Sequence, residues 1–343
     1  MKQILAVIIL LILLFFTMGC SSDERFPLLN GDYLGQEFPG PEPRLFAPGI
    51  VSTGMYERDI AVLPDGNEIY YGLATDIMVT IMVTRRENGR WTEPRPASFA
   101  ENPDYFYFEP CLNPDGKRIF FLSTMPPPGE KPKPGWGHQN IWTADRKEDG
   151  TWGEATDLGP PVNTDGAEYF PSMTRSGVLY FTRVAAGEQK PALYRARPRK
   201  NGFFEPERLP EAVNGRGSPF NAFIAPDESY LVSCVAGMDG EENAGTSRYY
   251  VFFRNEDDTW TEAVDMGEPV NGEGFNAISP GISPDGRFFF FASNRKAPDE
   301  ELFGRPLTLS RFKEIHAMPR NGKSDIYWMD AAVIQQLRIR KTP

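Results

Sequence analysis

The chain has 343 residues and a formal net charge of −11. That balance excludes a polyanionic partner such as nucleic acid, whose binding depends on clustered Lys and Arg. Thirty-two glycines, 32 prolines and 13% aromatic residues, with few long runs of helical periodicity, point to short strands joined by turns.

The chain opens with Met1-Lys-Gln and an apolar run over residues 4–18. The run is short for a bilayer span, and its charged start gives it the pattern of a secretory leader. Its end, Thr17-Met-Gly-Cys20-Ser-Ser, resembles the lipobox of bacterial lipoproteins, in which the cysteine is diacylated and becomes the new N-terminus. Residues 1–19 are therefore expected to leave as a signal peptide and Cys20 to carry lipid. An ordinary leader with an incidental cysteine is the alternative. Residues 20–42, with Gly, Pro and acidic side chains, read as a tether too short to form a domain of its own. The other two cysteines, Cys111 and Cys234, lie in apolar runs as small fillers, so no disulfide framework is indicated.

From residue 43 to 330 one block recurs five times: a short apolar run, a turn, then aromatics. The copies are Ala61-Val-Leu-Pro-Asp-Gly66, Cys111-Leu-Asn-Pro-Asp-Gly116, Ser172-Met-Thr-Arg-Ser-Gly177, Phe223-Ile-Ala-Pro-Asp-Glu228 and Gly281-Ile-Ser-Pro-Asp-Gly286. Steps of 50, 61, 51 and 58 residues between Asp65, Asp115, Ser176, Asp227 and Asp285 fall in the range of propeller arrays. Each copy continues into a third strand candidate, a tight turn such as Asn88-Gly89 or Asp149-Gly150, and a fourth. The fifth copy ends at Asp325-Ile-Tyr-Trp-Met-Asp330 without a clear fourth strand. An N-terminal strand from residues 43–53 is expected to complete that blade and remove an open sheet edge. The fold expected is all-β, a five-bladed β-propeller closed by this N-terminal strand. Residues 331–343 form a tail that could be helix or strand.

Ser283-Pro-Asp-Gly-Arg-Phe-Phe-Phe-Phe-Ala-Ser-Asn-Arg295 followed by Asp325-Ile-Tyr327 resembles the WD-repeat-like β-propeller of the TolB type. The resemblance implies an extracytoplasmic propeller; it implies no single activity, because such scaffolds host binding modules and several enzyme classes.

Function is expected on the face that receives the long second-to-third insertions, residues 125–139, 237–247 and 296–324. Polar residues at the starts of the inner strands, Glu57, Arg58, Asp59, Glu109, Glu168, Asn221 and Asn276, could converge there on the channel mouth. Carboxylates so placed could bind a ligand or act as acid and base; they could equally satisfy backbone donors. Trp136, His138 and His316 lie on the insertions as possible ligand contacts. Two histidines on separate loops do not make a zinc site, and no motif implies a cofactor. Asn163, Asn214 and Asn271, each after a valine between blades, read as caps of the link backbone.

With no Gly-x-Ser-x-Gly, His-Glu-x-x-His or phosphate loop, the leading reading is a lipid-anchored, monomeric, non-catalytic module of the cell envelope. It would bind an envelope protein or a glycan, touching the membrane through the anchor alone. The alternative is a glycosidase-like enzyme using Asp59, Glu109 and Glu168.

Overall fold

The structure is a computed structural model that describes residues 26–238, 246–272 and 274–340. The leader, Cys20 and the centre of the 237–247 insertion lie outside the described residues. Among the described residues no helix is long and apolar enough to cross a membrane.

Five antiparallel sheets follow one another along the chain as the blades of a propeller. The inner strands are Tyr56–Val62, Tyr107–Leu112, Ala167–Met173, Ser218–Ile224 and Pro280–Ile282. Each pairs with a second strand, and that with a third. Outer strands are two-residue pieces such as Thr156–Asp157 and Val264–Asp265. In the fifth blade the outer piece comes from the other end of the chain: Arg44–Leu45 pairs with Trp328 and Tyr327 of Asp325–Asp330.

The turns between first and second strands owe their shape to local chemistry. Asp65, Asp115, Asp227 and Asp285 each accept a hydrogen bond from the backbone N–H two residues on, at 2.9–3.1 Å. The intervening position is left-handed, at φ +74 in Gly66 and +59 in Glu228, which takes the glycine's place.

Blades cohere because second strands alternate their side chains between two neighbours. Phe289 and Phe291 join Val232, Tyr249 and Val251 of the fourth blade, while Phe288 and Phe290 join Ile69, Tyr71 and Trp91 of the first. A strand sandwiched this way needs apolar residues at successive positions, hence the unbroken run of aromatics. Each such Phe contributes about 1.5–3 kcal/mol by its burial.

The links between blades are tied by the three repeated asparagines. Asn163 accepts from the Ile141 N–H and donates to its carbonyl, at 3.0 and 2.9 Å. Asn214 does the same for Leu193 and Asn271 for Tyr249. One side-chain amide thus stands in for a strand neighbour near the start of each third strand.

Residues 26–42 do not hang free. Tyr33 and Leu34 are buried, and the Tyr33 ring lies 5.1 Å from Phe288 and 5.7 Å from Trp328. Trp91 donates through Nε1 to the Gly31 carbonyl at 2.8 Å. The polar composition that reads as a tether conceals this apolar pair, which fills the outer gap between the fifth and first blades. The tail forms a helix, Ala332–Arg340, that buries Ile334 and Leu337 in the core shared by the fourth and fifth blades.

Replacing Asn214 with alanine leaves the buried N–H of Leu193 without a partner, while its carbonyl keeps the Leu209 N–H, and should cost about 1–3 kcal/mol. Urea denaturation of N214A checks this; a loss under about 0.5 kcal/mol would mean the amide does not replace a strand.

Candidate functional site

Four of the five inner strands carry the same irregularity. Pairing with the second strand slips between Arg58 and Ala61, Phe108 and Cys111, Tyr169 and Ser172, and Phe220 and Ala222. Inside each slip sits one left-handed residue: Asp59 at φ +58, Glu109 at +61, Phe170 at +52 and Asn221 at +46. All four stand six positions before the turn residue of their repeat, and the fifth copy has Ser279. A bulge with a non-glycine residue in this region costs free energy, so its recurrence in four sheets marks a feature that the flanking pairing imposes.

The bulges bring Asp59 and Glu109 together on one cation. Arg58 donates through Nε to Asp59 Oδ2 at 2.7 Å and through Nη2 to Glu109 Oε1 at 2.9 Å. Its guanidinium lies 5.0 Å from the centre of the Phe108 ring. Glu109 Oε2 accepts from the Phe170 N–H at 2.7 Å, and the Asp59 N–H donates to Ser279 Oγ at 3.3 Å. The fourth blade joins its neighbours at this level through Asn221, which donates through Nδ2 to the Ile278 carbonyl at 2.6 Å and through its N–H to the Thr182 hydroxyl at 3.0 Å. Asn221 Oδ1 is buried without a partner. Burial, with Asp59 adding to it, pushes the Glu109 carboxyl above the ordinary range against the pull of Arg58.

Glu168 does not join this group. It stands eight positions before its turn residue, as Glu57 does, and the two residues share a role. Glu168 accepts from the Thr164 hydroxyl at 2.6 Å and from Arg183 Nε at 2.9 Å, and its own N–H reaches the Gln139 carbonyl of the preceding blade. Glu57 accepts from the Thr53 hydroxyl, and its N–H reaches the Ser324 carbonyl of the fifth blade at 2.9 Å. These two residues tie blade seams through their backbone N–H groups. The set Asp59, Glu109 and Glu168 therefore does not converge, and the first two share a guanidinium instead of facing a reacting bond.

The remaining candidates spread over the insertion face. Trp136 is half exposed, 44%, and its ring packs 5.0 Å from Phe106 and 6.3 Å from Phe108. His138 is buried, with Nε2 3.0 Å from the Lys131 carbonyl, whereas His316 is exposed on the helix Leu309–Ala317. Asn276 accepts from the Ser247 N–H at 3.3 Å and its N–H donates to Asn294 at 2.8 Å, within the fifth blade's approach. Among the described residues no group of three or more His, Cys, Asp or Glu is placed to hold a metal.

A feature absent from the sequence reading is the cavity on the axis. It measures about 270 Å³ and is lined by inner-strand residues of all five blades, from Asp59, Glu109 and Phe170 to Pro64, Pro114, Pro226 and Pro284 of the turns. Because the turn prolines line it, the cavity belongs to the turn side of the disc. Asp59 and Glu109, the partners of Arg58, line its inner end.

The seam between the first and fifth blades holds a second pair of acids. Glu57 Oε2 and Asp325 Oδ1 are both buried without hydrogen-bond partners. Burial pushes Glu57 up to about 7, and burial with a contribution from Glu57 pushes Asp325 up to about 7. Raised carboxyls bind protons more tightly in the folded state. Their stabilisation is complete below their ordinary values of 4.5 and 3.8 and is lost as pH rises through about 7. The urea midpoint should fall between pH 5 and pH 8, and should fall less in a Glu57→Gln, Asp325→Asn double variant. An unchanged slope would show that this seam does not titrate.

No family model matches the chain and no curated protein does. Solved structures resemble it at low identity. TolB of Acinetobacter baumannii aligns at a TM-score of 0.42 and 14% identity, over 80% of this chain and 57% of its own. The chain thus spans a little over half of that protein. Periplasmic gluconolactonase of Pseudomonas aeruginosa aligns at 0.39 and 13%, over 69% of this chain and 65% of its own. Oligogalacturonate lyase of Vibrio parahaemolyticus aligns at 0.39 and 11%, over 75% and 68% respectively.

Proposed function

We propose that the chain is a non-catalytic, lipid-anchored binding module of the cell envelope that docks a protein partner on its insertion face. The observation that carries this reading is the distribution of exposed apolar side chains. Of twelve large ones among the described residues, eight lie on second-to-third loops or just ahead of an inner strand: Met55, Ile77, Met78, Trp136, Phe303, Leu307, Leu309 and Phe312. Ile77 is 85% exposed and Leu309 73%. Exposed apolar groups gathered on one side of a molecule mark an interaction surface.

They fall on the fifth, first and second blades, three consecutive positions around the ring. Contacts join two of these sectors: Asn321 donates to the Gly54 carbonyl at 3.1 Å and to the His316 carbonyl at 2.9 Å. The helix Leu309–Ala317, capped by the Thr308 hydroxyl, gives this surface a rigid element.

The chain's entry into the fold supports the same orientation. The Leu29 carbonyl accepts from Trp91, and the Gly40 carbonyl accepts from Asp330, both at the third-to-fourth turn side. A lipid on Cys20, six residues before the first described residue, would hold the turn side toward the membrane and the insertion face away from it. Six extended residues span about 20 Å at most. Glycan binding at Trp136 is the weaker alternative, since that ring already packs against Phe106 and Phe108. The glycosidase reading lacks support in the geometry, because Asp59 and Glu109 are locked to Arg58 and Glu168 to Arg183.

Photo-crosslinking residues placed at 309 and 312 in cells should trap one discrete protein, and the same residues at 88 and 149 on the turn side should not. Phe303→Ser with Phe312→Ser should lower recovery of that same protein at least tenfold with an unchanged unfolding midpoint. Equal trapping from both sides, or no effect of the double variant, would remove the insertion face as the docking surface.

A further inference from the structure

The axial cavity has a chemistry of its own, independent of the insertion face. Its walls are apolar: Ile60, Val62, Leu112, Met173, Phe223 and Ile282, with the turn prolines at the rim. At about 270 Å³ it exceeds the roughly 150 Å³ that suffices for a benzene-sized guest. Charged side chains are confined to the two ends, with Cys111 and Ser172 between them. Asn113, Ser283 and the solvent-exposed Arg175 stand near the rim, and Asp59 and Glu109 belong to the depth.

The deep end is short of positive charge. Two buried carboxylates share one guanidinium there, with Asp59 5% and Glu109 5% exposed. An unmatched negative charge in a low-dielectric place is costly, and it must be met by a proton or by a second cation. The other groups facing Glu109 supply none: Tyr169 of the third blade and Cys234 of the fourth are neutral acids raised by burial.

We propose that this cavity is a binding site for a small primary amine with a monocyclic or short apolar body, the ammonium meeting Asp59 and Glu109 and the body lying against the proline and aliphatic walls. The class follows from the pairing of an apolar chamber with a charge deficit at its inner end. A neutral molecule of the same shape fills the walls but leaves the deficit; an anion worsens it. Arg175, at the rim and in water, is screened from a guest at the floor. Amine and proton compete for the same surplus charge, so amine affinity should rise with pH while Glu109 deprotonates.

Calorimetry on the whole protein with 2-phenylethylamine, 2-phenylethanol and 3-phenylpropanoate separates the terms. The amine should bind one-to-one at pH 8 at least tenfold more tightly than the alcohol, with the carboxylate weakest. Between pH 6 and pH 8 the amine should gain several-fold and the alcohol should not change. Glu109→Gln should bring the amine to the alcohol's level, and Ile282→Trp, which fills the chamber, should abolish both. Equal binding of amine and alcohol, no binding of either, or amine binding that survives Ile282→Trp would overturn the proposal. The pH comparison needs no variant, so it decides the matter even if Glu109→Gln fails to fold. Loss of the insertion-face partner leaves all of these outcomes untouched.

Discussion

One left-handed residue in each of four inner strands decides what meets on the axis. A regular strand would carry side chains alternately toward and away from the channel from end to end. The extra residue breaks that alternation at the same height in each blade. It places Asp59, Glu109, Phe170 and Asn221 at one level and puts Arg58 between the first two. From this level outward the strands run regularly to the turns, and the space they enclose is the apolar chamber. On the other side begin the seams and insertions.

The two ends of the disc are consequently built for different tasks. The turn side is made of tight, self-satisfied turns and the axial chamber. The insertion side carries the apolar side chains that the blades have no room to bury. Between blades, the ties include alternating aromatics, asparagine amides that replace a strand neighbour, ion pairs such as Arg58–Glu109, and the backbone N–H groups of the acids at the blade starts. The pair of acids at the seam of the first and fifth blades responds to pH and has an orphaned oxygen on each partner.

Much of this was legible in the sequence. Five turns at regular spacing, each followed by aromatics, identify five blades, since only a strand packed on both sides can use consecutive Phe residues such as Phe288 to Phe291. The repeated Val-Asn links announce a structural role by recurring, but the sequence assigns them to the link backbone, whereas their amides bond to Ile141, Leu193 and Tyr249 of the third strands. The site was harder to read. Asp59, Glu109 and Glu168 look alike as acids at strand starts, yet Glu168 lies two positions earlier in its repeat and across the bulge. Counting back from the turn residue would have grouped Glu168 with Glu57 and put Phe170 beside Asp59. The bulge itself leaves no mark in composition, because Asp, Glu, Phe and Asn share no propensity for it. The docking of residues 26–42 was hidden for another reason: Tyr33 and Leu34 are two apolar residues in a polar stretch, too few to show periodicity.

The measurement that tests this arrangement most directly is a pair of double-mutant cycles in urea, Arg58→Met against Glu109→Gln and Arg58→Met against Glu168→Gln. The geometry predicts a coupling above about 1 kcal/mol in the first cycle and within about 0.5 kcal/mol of zero in the second. Coupling of Arg58 to Glu168, or none to Glu109, would contradict the bulge register and with it the division of the channel into two sides.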